Sequence, residues 1–353
     1  MRAAFTLTGR PPDGFQPDDI LSFHQRDAAM LAERVRGGLL EKGLFWNGAP
    51  ALLRLSLRSG GFTARLYAAG EGGRGGRDRR SGRSGRARFS AMIRRMLGLH
   101  QDVSGFAARF ADHPVMGPLI AARPQLRVPC AATPFEALTW AIAGQQISVQ
   151  AALSLRRGLI LAANARSPQA PDAPIAPIAP VAPAAPGGER EDGRGVEPSG
   201  GQEGAPYCHP DAAAVAALGP DALGRAGFSR SKTRALLAVC EGVLSSALDL
   251  DDWEEMAADD PVGGAFNPAA VREALLTIPG IGPWTADYVL LRGFGHLDGS
   301  LHGDAAVRRG LRGLLGAKDK LTQEETRRWL ETFSPYRALA AAHLWAAQSR
   351  AGY

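Results

Sequence analysis

The spacing of apolar positions changes character part-way along the 353-residue chain. Up to about Ala69 it is mixed. AAFTLTG (3–9) reads as a short strand and ILSFHQRDAAMLAERV (20–35) as a helix. ALLRLSLRSGGFTARLYAA (51–69) reads as two alternating runs folded at a Gly-Gly turn, the pattern of a β-hairpin. From Phe89 onward the apolar residues follow helical spacing, through MIRRMLGL, FEALTWAIAGQQISVQAALSLRRGLILA, KTRALLAVCEGVL, VREALLTI, WTADYVLLRGF, AAVRRGLRGLLG and RALAAAHLWAAQ. No convincing strand interrupts them. The pattern predicts a mainly α protein, with a small α+β domain at 1–69 and a helical domain at 89–353.

Two segments fit neither rhythm. Residues 70–88, GEGGRGGRDRRSGRSGRAR, have no periodicity and read as a linker or loop. From Pro168 to Pro186 a proline recurs at every third position, which places the rings on one edge of a polyproline II rod. The residues up to Pro206 then offer almost nothing apolar to pack. Residues 167–206 are thus expected to be a disordered insertion in the helical domain, either a tolerated surface excursion or a docking strip for an aromatic groove.

Charge changes the picture only a little. The formal net charge of +6 points towards polyanions. Residues 70–88 alone carry seven arginines against Glu71 and Asp78, so one segment supplies nearly all the excess. Cys130, Cys208 and Cys240 lie far apart and form neither metal-ligand spacing nor a disulfide framework. No apolar run approaches the ~20 residues of a membrane span, and the N-terminus lacks a signal-peptide core. A soluble, intracellular protein is expected.

The chemistry concentrates around IPGIGPWTADY (278–288). Gly280 and Gly282 permit a tight turn and leave no side chain to hold a partner's backbone away. Pro283 suits the first turn of the following helix, whose N-terminal amides would attract an anion. A plain helical hairpin would read the same way. Trp284 and Tyr288, four residues apart, share a helix face. Asp304 precedes an apolar-periodic run and reads as an N-cap. Asp298 reads as a turn residue, and Asp287 is expected at the surface.

LLTIPGIGPWTADYVLLRGFGHLDGSLHGDAAVRR closely resembles the helix-hairpin-helix and following loop of base-excision DNA glycosylases. Further stretches resemble the DNA-3-methyladenine glycosylase II branch in the right order: ILSF (20–23), FEALTWAIAGQQISVQAA (135–152), LGRAGFSRSKTRALLAV and SPYRALAAAHLW (334–345). The resemblance implies that Asp304 is catalytic and stabilises the oxocarbenium-like sugar as the base leaves. It implies a base pocket of Trp284, Tyr288, Trp345 and Phe23, whose electron-rich faces suit a cationic alkylated purine. It implies a minor-groove wedge at Gln145 or Gln146, the latter where one well-known member has leucine. DNA-backbone contacts would come from Gly280, Ile281, Gly282 and Thr285. The carbonyls of Leu276, Ile278 and Ile281 would hold a monovalent cation.

Members of the wider superfamily that also cut the strand carry a lysine in the hairpin, where this chain has Trp284. The four-cysteine iron–sulfur loop of other branches has no counterpart here. The implied protein is a monofunctional glycosylase, needing no cofactor, acting as a monomer on damaged double-stranded DNA in the bacterial cytoplasm, on the nucleoid. Two departures stand out. Ala305 follows Asp304 where that same member has tyrosine, giving a roomier pocket, and His302-Gly303 replace a Pro-Asp pair. Glycosylases for deaminated or oxidised bases, and a non-catalytic DNA-binding module, are the competing readings. A neutral lesion would want a proton donor, which the sequence does not reveal.

Overall fold

The computed structural model describes residues 3–58, 60–68, 85–165, 205–259 and 266–348. The N-terminal unit is a five-stranded antiparallel sheet, β1 (Phe5–Gly9), β2 (Glu33–Arg36), β3 (Leu39–Trp46), β4 (Ala49–Arg58) and β5 (Gly61–Ala68), in the order β1-β5-β4-β3-β2. Helix α1 (Pro17–His24) links β1 to β2. The expected hairpin is present as β4 and β5, with Leu53 opposite Leu66 and Leu55 opposite Ala64, all four buried.

The helix expected over 20–35 is shorter than its pattern suggested. It ends at His24, and residues 33–36 pair instead with Leu39–Lys42 as β2 on the sheet edge. Backbone pairing and the burial of Val35 and Glu33 outweigh the helical spacing there.

Helix α2 (Gly85–Met96) begins four residues before the expected domain start, so Gly85–Arg88 form its first turn rather than linker. Its Phe89, Met92, Ile93 and Met96 complete the core of the sheet, where Phe5, Trp46 and Phe89 form an aromatic cluster. Residues 70–84 and the proline-rich stretch 167–204 lie outside the described residues.

The remaining helices share a second core. They are α3 (Val103–Phe110), α4 (Met116–Ala122), α5 (Pro134–Gly144), α6 (Val149–Asn164), α7 (Ala212–Arg225), α8 (Arg230–Leu244), α9 (Leu250–Asp259), α10 (Pro268–Leu276), α11 (Pro283–Phe294), α12 (Ala305–Leu315), α13 (Gln323–Glu331) and α14 (Arg337–Gln348). At their centre α11 packs along α5, and Gly293 lies against Pro134 and Ala137, where a Cβ would already be crowded. Both described ends of the proline-rich stretch are clamped together. Asn164 at the end of α6 donates to the Cys208 carbonyl (2.9 Å) and accepts from the Cys208 amide (3.2 Å). Residues 207–209 then run beside β3, so close that a Cβ on Gly43 would collide with the Tyr207 carbonyl.

Charged side chains join the two units. Lys42, from β3 and fully buried, donates to Glu33 (2.5 Å) and to Glu136 of α5 (2.7 Å). Arg156 of α6 reaches both carboxylates (3.1 and 3.3 Å), and Asp27 pairs with Arg157 (2.6 Å). These cations hold Glu33 and Glu136 well below the usual carboxylate range against the opposing effect of burial.

Removing one partner leaves a buried charge uncompensated, so Lys42→Met is expected to cost about 3–5 kcal/mol. Urea midpoints measure this, and Lys42→Met combined with Glu136→Gln should recover part of the loss. Stability should also fall with acid. Burial lowers the pKa of His209 and of His343 to about 4. Each stays neutral in the fold while the unfolded chain takes up a proton near 6.5. The stability they contribute is therefore complete above about pH 6.5 and is lost from there towards pH 4, at up to about 1.4 kcal/mol per pH unit for each. Denaturant titrations at pH 7 and pH 5 test the sign.

Candidate active site

The turn between α10 and α11 has the expected hairpin geometry. Gly280 sits at φ +89°, and a Cβ there would press on Ala235 of α8. Gly282 opens α11 with no side-chain cap and with open space around its Cα. Among the described residues no side chain caps the first-turn amides of α11. The Ile278 carbonyl accepts one bond, from the Ile281 amide (3.0 Å), while those of Leu276 and Ile281 accept none from the backbone of the described residues. Carbonyl oxygens of this kind can serve as ligands to a monovalent cation.

Asp304 is the N-cap of α12, as its position suggested, and more than a cap. Its Oδ1 accepts from the amides of Ala306 and Val307 (both 2.9 Å) and from Trp345 Nε1 (3.1 Å). Its Oδ2 accepts from Trp284 Nε1 (3.2 Å). The carboxylate is held by two helix amides and two indoles, yet remains partly open to solvent. A rigid carboxylate of this kind can face a developing positive charge without reorganising. Asp298 holds α14, which carries Trp345, by accepting from the Arg337 amide (3.2 Å) and pairing with its guanidinium (2.9 Å). Ala305 is exposed, and His302 is half-buried and hydrogen-bonded to Ser300 (2.9 Å).

The four expected pocket aromatics gather on this side of the molecule. Trp284 and Tyr288 lie 5.3 Å apart, ring centre to ring centre, along α11. Phe23 comes from α1 of the sheet unit, and the Arg292 guanidinium sits between it and Trp345, at 4.6 and 5.5 Å from the two rings. Three residues the sequence reading passed over belong here: Arg292, Trp140 and Arg26. Arg26 lies 4.0 Å from the Phe23 ring centre and 4.2 Å from that of Trp140. Its place three residues after Phe23 was the available signal, obscured by reading 20–35 as one helix.

The two glutamines separate clearly. The Gln145 amide donates to the Gly280 carbonyl (2.9 Å) and to Thr285 Oγ1 (3.1 Å), tying the α5–α6 junction to the hairpin. Gln146 is exposed, at φ +58°, beside the exposed apolar side chains of Ile147 and Val149. Asp287 is not at the surface. It is 3% exposed and turned towards α10, where Arg272 pairs with it at 2.7 Å. Burial raises its pKa, and the Arg272 guanidinium opposes that shift.

No family model matches the sequence. In three dimensions the chain is similar to the 3-methyladenine DNA-glycosylase from Archaeoglobus fulgidus, with a TM-score of 0.66 at 17% identity over 97% of this chain and 98% of that one. By sequence it is 29% identical over 231 residues to DNA-3-methyladenine glycosylase 2 of Escherichia coli (strain K12), across 65% of this chain and 63% of that protein. The chain has the fold of the helix-hairpin-helix DNA glycosylases, and its sequence is similar to that of a DNA-3-methyladenine glycosylase. The sequence match spans slightly less than two thirds of that relative's length. The glycosylase fold is shared more widely. The 8-oxoguanine glycosylase/lyase of Clostridium acetobutylicum, solved in complex with double-stranded DNA containing cytosine opposite 8-oxoG, matches with a TM-score of 0.61 at 13% identity, covering 98% of this chain and 97% of that one.

In this glycosylase fold the Arg272–Asp287 pair joins the two legs of the hairpin. Arg272→Ala should destabilise the protein by about 1–3 kcal/mol by leaving Asp287 buried without its partner. A urea titration should show Arg272→Ala combined with Asp287→Asn to be more stable than Arg272→Ala alone.

Proposed function

We propose that the chain is a monofunctional DNA glycosylase that excises alkylated bases such as 3-methyladenine and 7-methylguanine, leaving an abasic site. The observation that carries this reading is the Asp304 carboxylate, held between the Trp284 and Trp345 indoles beside an uncapped hairpin helix. A module that only bound DNA would need the hairpin and not this carboxylate.

Gly280, Ile281, Gly282 and Thr285 would hold the DNA backbone at the N-terminus of α11, with the hairpin carbonyls retaining a monovalent cation. Gln146 would enter the space left by the extruded nucleotide, while Gln145 fixes the loop it stands on. Asp304 then stabilises positive charge on the sugar as the bond between C1′ and the base breaks, and water adds at C1′. A base that is already cationic leaves without a general acid.

The absence of strand cleavage rests on the amines. An imine needs a free lysine. Trp284 stands at the hairpin position, and Lys232, the lysine of neighbouring α8, is buried with its amine on the Ala143 carbonyl (2.7 Å).

Base release from methylated duplex DNA, with strand cleavage and DNA binding followed alongside, tests the reading. Wild type should release 3-methyladenine without nicking the strand. Asp304→Asn should bind with similar affinity and lose activity by about 100-fold or more, the scale of a removed electrostatic stabiliser. Full activity in the variant would reduce Asp304 to a helix cap, and nicking by wild type would overturn the monofunctional assignment.

A further inference from the structure

A carboxylate placed to face a sugar also meets the phosphates on either side of that sugar, and like charges repel. The four bonds to Asp304 come from two amides and two indoles, and no cation among the described residues pairs with it. A cation is nevertheless fixed beside it. Arg308 lies four positions after Asp304 on α12, one turn along the same face. A long side chain there reaches back towards the helix N-terminus, and Arg308 Nη1 donates to the Gly303 carbonyl (3.2 Å). Gly303 lies against the first turn of α11, where a Cβ on it would stand 3.5 Å from Trp284 Cβ. The guanidinium is therefore tied between the Asp304 carboxylate and the turn that would hold the DNA backbone. It is half-buried, and among the described residues its side chain makes this one bond and has no carboxylate partner. The helix dipole favours anions at that end, so the charge has no local support. The other arginines of α12 differ: Arg309 is exposed and donates to Gln348 (3.2 Å), and Arg312 stands a further turn away.

We propose that Arg308 is a positioning residue that grips a phosphate adjoining the extruded nucleotide, so that the sugar is held against Asp304 despite the like charges. This rests on the glycosylase reading of the same site. With Nη1 on the Gly303 carbonyl, Nε and Nη2 form the edge of the guanidinium that can bind two phosphate oxygens at once. The α11 turn and Arg308 then hold one strand at two points. Two grips fix the direction in which C1′ faces, which one grip at the turn does not. Arg308 touches no reacting atom and transfers no proton; it acts by orienting the substrate and by offsetting the repulsion between phosphate and carboxylate.

The test pairs changes in the protein with changes in the DNA. Arg308→Gln keeps a neutral donor and loses the charge, Arg308→Ala loses both, and thermal midpoints confirm folding. The duplexes carry 7-methylguanine, with the phosphate on its 5′ or 3′ side replaced in turn by an uncharged methylphosphonate. On the unmodified duplex both variants should release the base about tenfold or more slowly at limiting enzyme, the scale of a hydrogen bond between charged groups. The slope of log affinity against log salt should become shallower by about one. At one of the two positions the methylphosphonate should cost wild type about tenfold more than it costs either variant. Losses that simply multiply at both positions would overturn the proposal and leave Arg308 a support for the Gly303 loop. Wild-type release by Arg308→Gln would overturn it too, since the donor alone would then suffice. Affinity for the same duplexes carrying a tetrahydrofuran abasic analogue gives a readout independent of chemistry. If wild type releases no base, the glycosylase reading fails, and the pairing of losses in that binding series still decides whether Arg308 holds a phosphate.

Discussion

The structure depends on a set of buried charges that no single element could carry alone. Lys42 and Glu33 come from the sheet, Glu136 from α5 and Arg156 from α6, and each is almost inaccessible to water. Taking such groups out of water is costly, so each tolerates its burial only while the others are in place. That condition fixes where the sheet sits on the helices. It reaches the pocket through α1 and the loop after it. His24 is bonded to Glu33 (3.0 Å) and Asp27 to Arg157 (2.6 Å), so Phe23 and Arg26 are each followed directly by a residue held in the charged set. The aromatic wall contributed by α1 is therefore positioned by electrostatics as well as by the packing of Ile20 and Leu21 in the core of the sheet.

Two devices on the helical side meet at the hairpin. Gln145 binds the same turn that offers its amides outward, so the loop bearing Gln146 and the N-terminus of α11 form one rigid edge. Asp304 is set behind that edge by the indoles of α11 and α14. Distances between the elements that would grip a backbone, fill a vacated stack and face a sugar are thus set by hydrogen bonds rather than by loop conformation.

The helical half of the fold and much of the site were legible because they rest on local signals. The Pro-Gly-Ile-Gly turn, the i,i+4 pair Trp284 and Tyr288 and the capping position of Asp304 each declare themselves within a few residues. The shortfalls are all long-range. Residues 33–36 are a strand because β3 pairs with them, and nothing within 20–35 announces that partner. Asp287 is buried because Arg272 lies fifteen positions earlier on the facing helix. Arg26 enters the pocket because Trp140, from another part of the chain, supplies its second aromatic face. The carboxylate's bond to Trp345 likewise spans 41 positions, and only the family resemblance linked the two beforehand.

The clamp between Asn164 and Cys208 separates the fold from whatever lies between them. The two flanks of the insertion are therefore fixed next to each other by Asn164 and Cys208 themselves, without reference to the residues between them. The entropy of closing a loop between two such fixed ends grows only slowly with its length. The position behaves as a socket: a natural point for grafting a tag, a reporter or a second domain onto this scaffold.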